Sequence, residues 1–198
     1  MLIDFMAVER NELKLIELGA RLTLDDLRAA TRFSIDRMLE LIADLSDAAV
    51  TFDPVDPDAH DPYAVAGEET IGWSLAHLVA HVTASSEEWA AYSAILARGI
   101  PYPSEPRLRY ETPWRALTTQ AQCVQRLQES RRMRLAYLDA WPDAPHLETR
   151  RQMSERFTER FGEFNAPAAF LFGLWHEVNH FEQMREARRQ ALAVGQGA

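Results

Sequence analysis

The chain holds six histidines, at His60, His77, His81, His146, His176 and His180. Two pairs, His77/His81 and His176/His180, are four residues apart. On a helix that spacing puts both rings on one face, offset by about 40°, close enough to reach one ion. The same spacing also occurs on solvated helix faces and in hydrogen-bonded cores, so the neighbouring residues must discriminate. Around His176 and His180 one side is apolar, through Leu171, Leu174, Val178 and Phe181, while the histidine side offers Ala169, Gly173 and Ala187. A helix lined in this way is expected to be buried, and an unpaired buried imidazole is costly unless something binds it. The small residues leave room for a ligand. In the helix expected over 72–97, His81 lies about 60° from the centre of the apolar stripe and His77 about 100° away. His81 therefore faces the interior more readily, and His77 sits toward the rim, supporting a ligand or facing solvent. Three neutral imidazoles, from His81, His176 and His180, suit zinc, nickel, iron or copper and leave coordination positions open. A metal held so would lower the pKa of a bound water or thiol.

Positioning these rings requires helices. Thr23 followed by Asp25 and Asp26 is a start signal, and Leu27, Ile35, Met38, Leu39, Ile42 and Leu45 continue at helical spacing to about Ala48. Pro54, Pro57, Pro62 and Gly67 exclude a regular helix over 51–70. The apolar pattern returns from Gly72 to about Ala97, and Gly99 and Pro101 end it. A further helix is expected from Pro113 to Pro142, and a short one around Thr149 to Phe161. Asn165 before Ala166 and Pro167 should cap a final helix to about Leu192. A short extra helix is expected from about Asp4 to Leu18, stopped near Gly19. The sum is an all-α chain, a four-helix bundle of up-down-down-up type with long proline-rich connections. One domain is expected over 1–198, its core spanning about 25–190.

Bulk properties narrow the chemistry. At 198 residues the chain can bury a core without disulfides or a structural metal. The single Cys123 rules out a thiolate zinc cluster and fits a reducing compartment. A formal charge of -9 repels phosphate backbones and anionic lipid, so no nucleic-acid or membrane partner is expected. The first residues do not read as a signal peptide, because Asp4, Glu9, Arg10 and Glu12 interrupt the apolar run. No uncharged run approaches the roughly 20 residues that span a bilayer. The expected location is cytoplasmic, and an exposed apolar stripe would allow a homodimer.

Two stretches resemble the DinB/YfiT-like superfamily of metal-binding four-helix bundles. Gly72-Trp73-Ser74 followed by His81 is similar to that family's tryptophan-serine start of the second helix, with a ligand histidine two turns on. HEVNHFEQM, from His176 to Met184, resembles its HExxHxxQ segment in the last helix. The resemblance implies a facial triad of His81, His176 and His180, with Glu177 and Gln183 orienting ligands or bound water. Both could equally be solvated helix residues. Asn179 and Glu182 stand where many members carry histidine and glycine, and neither change touches the triad.

Members of the superfamily include transferases and isomerases that use bacillithiol, mycothiol or glutathione. The resemblance thus implies one divalent metal, zinc or nickel first and iron next, a low-molecular-weight thiol as cosubstrate, and a small electrophile. Cys123, mid-helix beside Val124, is a poor nucleophile by comparison, while Arg126, Arg131, Arg132 and Arg134 could hold an anionic thiol or form a solvated face. A different class of function is a non-catalytic metal-binding or stress-associated protein, whose site would be closed by a fourth ligand such as His77 or Glu177. A third has no metal and treats the histidines as core polar groups. A nonhaem iron oxidase ranks below thiol transfer.

Overall fold

A computed structural model of the chain describes residues 3–61 and 64–195; Pro62, counted above in the first long connection, lies outside the described residues. Among these residues there are eight α-helices and no strand. The first two, α1 (Met6–Glu9) and α2 (Leu15–Gly19), replace the single N-terminal helix expected over 4–18. Asn11 takes a left-handed φ of 57°, which a right-handed helix cannot pass through, and the chain turns there.

Thr23 caps α3 (Leu24–Ile42): its Oγ1 accepts from the Asp26 N–H at 3.2 Å, and the Asp26 carboxylate accepts the Thr23 N–H at 2.9 Å. This helix stops six residues short of the expected end because Asp44 has a φ of 60°. Ser46 then caps a separate turn, α4 (Asp47–Val50). Ser74 caps α5 (Leu75–Ala97), which begins three residues later than Gly72. The helix expected from Pro113 is two pieces: a 3-10 turn at Trp114–Ala116, a break at Leu117 (ψ 88°), and α6 (Gln120–Asp139) capped by Thr119. The short helix expected from Thr149 starts only at Ser154, giving α7 (Glu155–Phe161). Asn165 accepts the Ala168 N–H at 3.1 Å and opens α8 (Ala166–Gly195).

Contacts between the four long helices fix their order and direction. Arg28 pairs with Asp139 and Arg131 with Asp36, so α3 and α6 are antiparallel. Ser34 meets Glu177, and Arg188 donates to the carbonyls of Leu41 and Ala43, so α3 and α8 are parallel. His81 meets His176 and Ser86 meets Gly173, which sets α5 antiparallel to α8. The directions are therefore up, down, down, up in the order α3, α5, α6, α8. Each packs on two neighbours, with α3 and α5 across the bundle from each other. The 51–74 connection joins that diagonal pair, which is why it must be long.

Two apolar layers fill the bundle. One, with Leu27, Trp89, Tyr92, Leu138, Phe164 and Phe172, lies under α1, α2 and α7. The other contains Ile35, Met38, Leu78, Val82, Leu127, Phe181 and Met184. Between them, each long helix contributes buried polar residues: Thr31 and Ser34, Ser85 and Ser86, Ser130 and Arg134, and Glu177. The histidines lie at this level. No described helix is long and apolar enough to cross a membrane.

Candidate metal centre

The side chains of His81, His176 and His180 come together between α5 and α8. One ligand-capable atom from each lies within 4.8 Å of the other two, and all three residues are partly buried. His81 Nε2 is 3.2 Å from His176 Nε2. Close backbone approach makes this reach feasible, since α8 passes α5 at Gly173, where a Cβ would stand 3.1 Å from the Ser86 Cα.

Each residue of the tryptophan-serine motif has a physical part. Gly72 has no side chain because a Cβ would fall 1.9 Å from the Pro54 carbonyl oxygen. Trp73 lies against the histidines, its ring centroid 4.4 Å from His77, 4.6 Å from His81 and 5.9 Å from His180. Ser74 caps the helix that carries His77 and His81.

The cluster fits a divalent ion by its electrostatics. Burial pushes the His176 imidazole well below its ordinary pKa and His180 to about 4, so both are neutral donors at pH 7. His176 Nδ1 is buried with no hydrogen-bond partner among the described residues. Gln183 Oε1 lies 2.8 Å from His180 Nδ1; with the proton there, the other nitrogen keeps a free lone pair. At His81 Nδ1 stand Arg109 Nη2 at 3.2 Å and Glu111 at 3.7 Å. Burial opposes the charged form of Glu111, but His81 and Arg109 beside it prevail and hold its carboxyl down to about 2. The donor set is all imidazole, which suits zinc, nickel, iron or copper.

Several expectations need correction. His77 is neither on an exposed rim nor in the cluster: it is buried, stacked between Trp73 and Trp114 at 4.4 and 4.7 Å. Glu177 does not orient a ligand. Its side chain is fully buried, bound by Arg134 and by Ser34 Oγ at 2.6 Å, and faces α3 and α6 instead of the histidines. Helical geometry explains this, because one residue past His176 is turned by about 100°. Glu182 pairs with Arg185 on the surface, and Asn179 donates to Glu9. Cys123 is buried, its thiol pushed up to about 11, in accord with a packed residue.

The arginines singled out on α6 are also elsewhere. Arg134 pairs with Glu177, Arg131 with Asp36 and Arg126 with Glu87, while Arg132 is largely exposed. The arginines that line the cavity next to the histidines are Arg107, Arg109 and, farther along its wall, Arg151, from the irregular 98–113 and 142–154 stretches. Sequence reasoning missed them because no period marks loop residues. Arg107 and Arg109 alternating with acidic Glu105 and Glu111 was the available signal.

His81 and His176 open into a cavity of about 750 Å³. Its walls include Trp73, Trp89, Trp114, Phe157 and Phe172. Aromatic walls with a few converging polar groups are the usual build of a small-molecule site.

No curated protein and no solved structure matches the chain significantly. The sequence pattern of the DinB superfamily matches residues 30–184, a span that takes in α3 from Ala30 onward, α5, α6 and the histidine segment of α8. With most of its length matched and its histidines converging in a helical bundle, this chain belongs to the DinB superfamily.

Proposed function

We propose that the protein is a metal-dependent thiol S-transferase, or a related hydrolase or isomerase, acting on small electrophiles with bacillithiol, mycothiol or glutathione. The observation that carries this reading is the opening of the histidine cluster into the cavity, with no fourth side chain closing it. Among the described residues the cluster contains only the three histidines, and the two candidates for closure, His77 and Glu177, are held in other contacts. A purely structural ion is expected to be enclosed by four protein ligands.

His81, His176 and His180 would hold the ion, zinc or nickel before iron. When bound, it supplies Lewis acidity that lowers the pKa of a thiol and keeps it as thiolate. Gln183 fixes the ring of His180. Arg109 and Glu111 brace His81 from its Nδ1 side. Trp73, Trp114 and Phe172 narrow the water around the reacting groups. Transfer forms a sulfur–carbon bond and releases the leaving group from the electrophile, the thiol proton passing to solvent. The protein's own thiol takes no part, because burial keeps Cys123 protonated.

The test is a conjugation assay with monochlorobimane and each of the three thiols, on zinc- and nickel-loaded protein of measured metal content. A rate above the uncatalysed one, lost with bound metal in His180→Ala, supports the reading. Stoichiometric metal with no turnover for any thiol would leave a non-catalytic metal-binding protein. Absence of metal binding in the parent would return the histidines to the role of core polar groups.

A further inference from the structure

Away from the histidines, the cavity wall carries a buried cation that forms no ion pair among the described residues. Arg151 is only 6% exposed and lines the cavity. Its guanidinium lies 3.7 Å over the Tyr92 ring and 4.9 Å from that of Trp89. Nη2 donates to the Ser104 carbonyl at 3.0 Å, Nη1 faces the Met153 sulfur at 3.5 Å, and Nε is buried with no hydrogen-bond partner among the described residues. No carboxylate among the described residues reaches it within ion-pair distance, and Glu88 and Glu105 favour its charged form only from farther away. The other two cavity arginines are already neutralised: Arg107 is bound to the buried Glu88, with Nε at 3.0 Å, and Arg109 to Glu111. Glu105, on the same wall, accepts the Arg107 backbone N–H at 3.0 Å.

Burying a cation without a directly paired anion is costly, and ring faces, a carbonyl and a thioether offset that cost only in part. A guanidinium is also the side chain best shaped to receive a carboxylate. Trp89, beneath it, lies eight residues past His81 on α5, which is about 12 Å along the helix axis. The same cavity is walled in part by the rings of Trp73, Trp114, Phe157 and Phe172.

We propose that Arg151 is a carboxylate-binding subsite, so that the cavity takes small organic acids with an aromatic or apolar body, the acid at Arg151 and the other end toward the histidines. This deepens the transfer reading by giving the class of its substrate, but it rests on the cavity and not on the thiol.

The test is calorimetric titration of the zinc-loaded protein with 4-phenylbutyrate and with 4-phenylbutanol, which differ in the acid group. A charged hydrogen-bonded contact predicts about tenfold or more tighter binding of the acid. In Arg151→Gln the preference disappears, with zinc content and melting temperature unchanged. Equal affinities in the parent, or no binding of the acid, overturn the proposal. So does a preference that survives Arg151→Gln, which would put the carboxylate on the metal or on Arg107 or Arg109. Should Arg151→Gln fail to fold, Arg151→Lys decides, since it keeps the charge and loses the planar fork. A several-fold loss for the acid alone supports the subsite, and an unchanged acid affinity overturns it. Neither ligand carries a thiol, so this outcome and that of the conjugation assay are independent.

Discussion

His77 shows how a motif position can acquire a role that its spacing does not suggest. Four residues before His81, it has the separation of a second ligand, yet it is stacked between two indole rings. Burial pushes its pKa from the ordinary 6.5 to about 4. The folded chain therefore holds it neutral where the unfolded chain would bind a proton. Stability from this group is complete above about pH 6.5 and is lost as the pH falls toward 4. Metal-free parent protein should accordingly lose melting temperature between pH 7 and pH 5, and His77→Phe, which keeps a ring between Trp73 and Trp114, should lose less. Equal losses in the two proteins would show that His77 does not carry the acid sensitivity. At this scale the sequence was informative about the triad and silent about its supports. The triad residues lie on helices, where a period of 3.6 assigns a face. Arg107, Arg109, Glu111 and Arg151 lie in irregular chain, where nothing periodic marks them.

At the scale of elements, the four long helices were legible from caps and apolar spacing, and their interruptions were not. Apolar residues continue on either side of the breaks at Asp44 and Leu117, so the pattern alone reads through them. The buried polar level between the two apolar layers was equally hidden. Glu177 was read as a motif residue near the metal, but its carboxylate joins α8 to Arg134 on α6 and Ser34 on α3. Both side chains of the ion pair are out of water, at 1% and 0% exposure. Breaking such a pair leaves one buried charge alone and costs about 3–5 kcal/mol, whereas replacing both with apolar groups can be neutral. Glu177→Leu should therefore lower the unfolding free energy by that amount in urea titration, and Arg134→Met/Glu177→Leu should recover most of it. If the double variant is as unstable as the sum of its parts, the pair is not the source of the loss.

For the molecule as a whole, the two helices carrying the triad, α5 and α8, are packed neighbours with all of α6 and α7 between them in the chain, so no short hairpin links them. His81 on α5 and His176 and His180 on α8 are 95 or more residues apart in sequence, and their convergence depends on packing. A chain of this length has a core sufficient to fold without an ion, so metal is expected to add to an existing fold and not to create it. The two cases are distinguishable thermodynamically. An ion that binds only the folded state stabilises it by about 2.7 kcal/mol at a hundredfold excess over its Kd. For a protein of this size that is a rise of roughly 5–11 °C in melting temperature. Metal-free protein should thus melt cooperatively, and zinc should raise the transition by such an amount in the parent but not in His176→Ala. Hydrogen exchange should slow at the second and third turns of α5 and the middle turns of α8 and stay unchanged in α1 and α2, which do not contribute to the cluster. A metal-free chain with no cooperative transition would reverse the order, making ion binding a condition of folding, as in small metal-dependent domains.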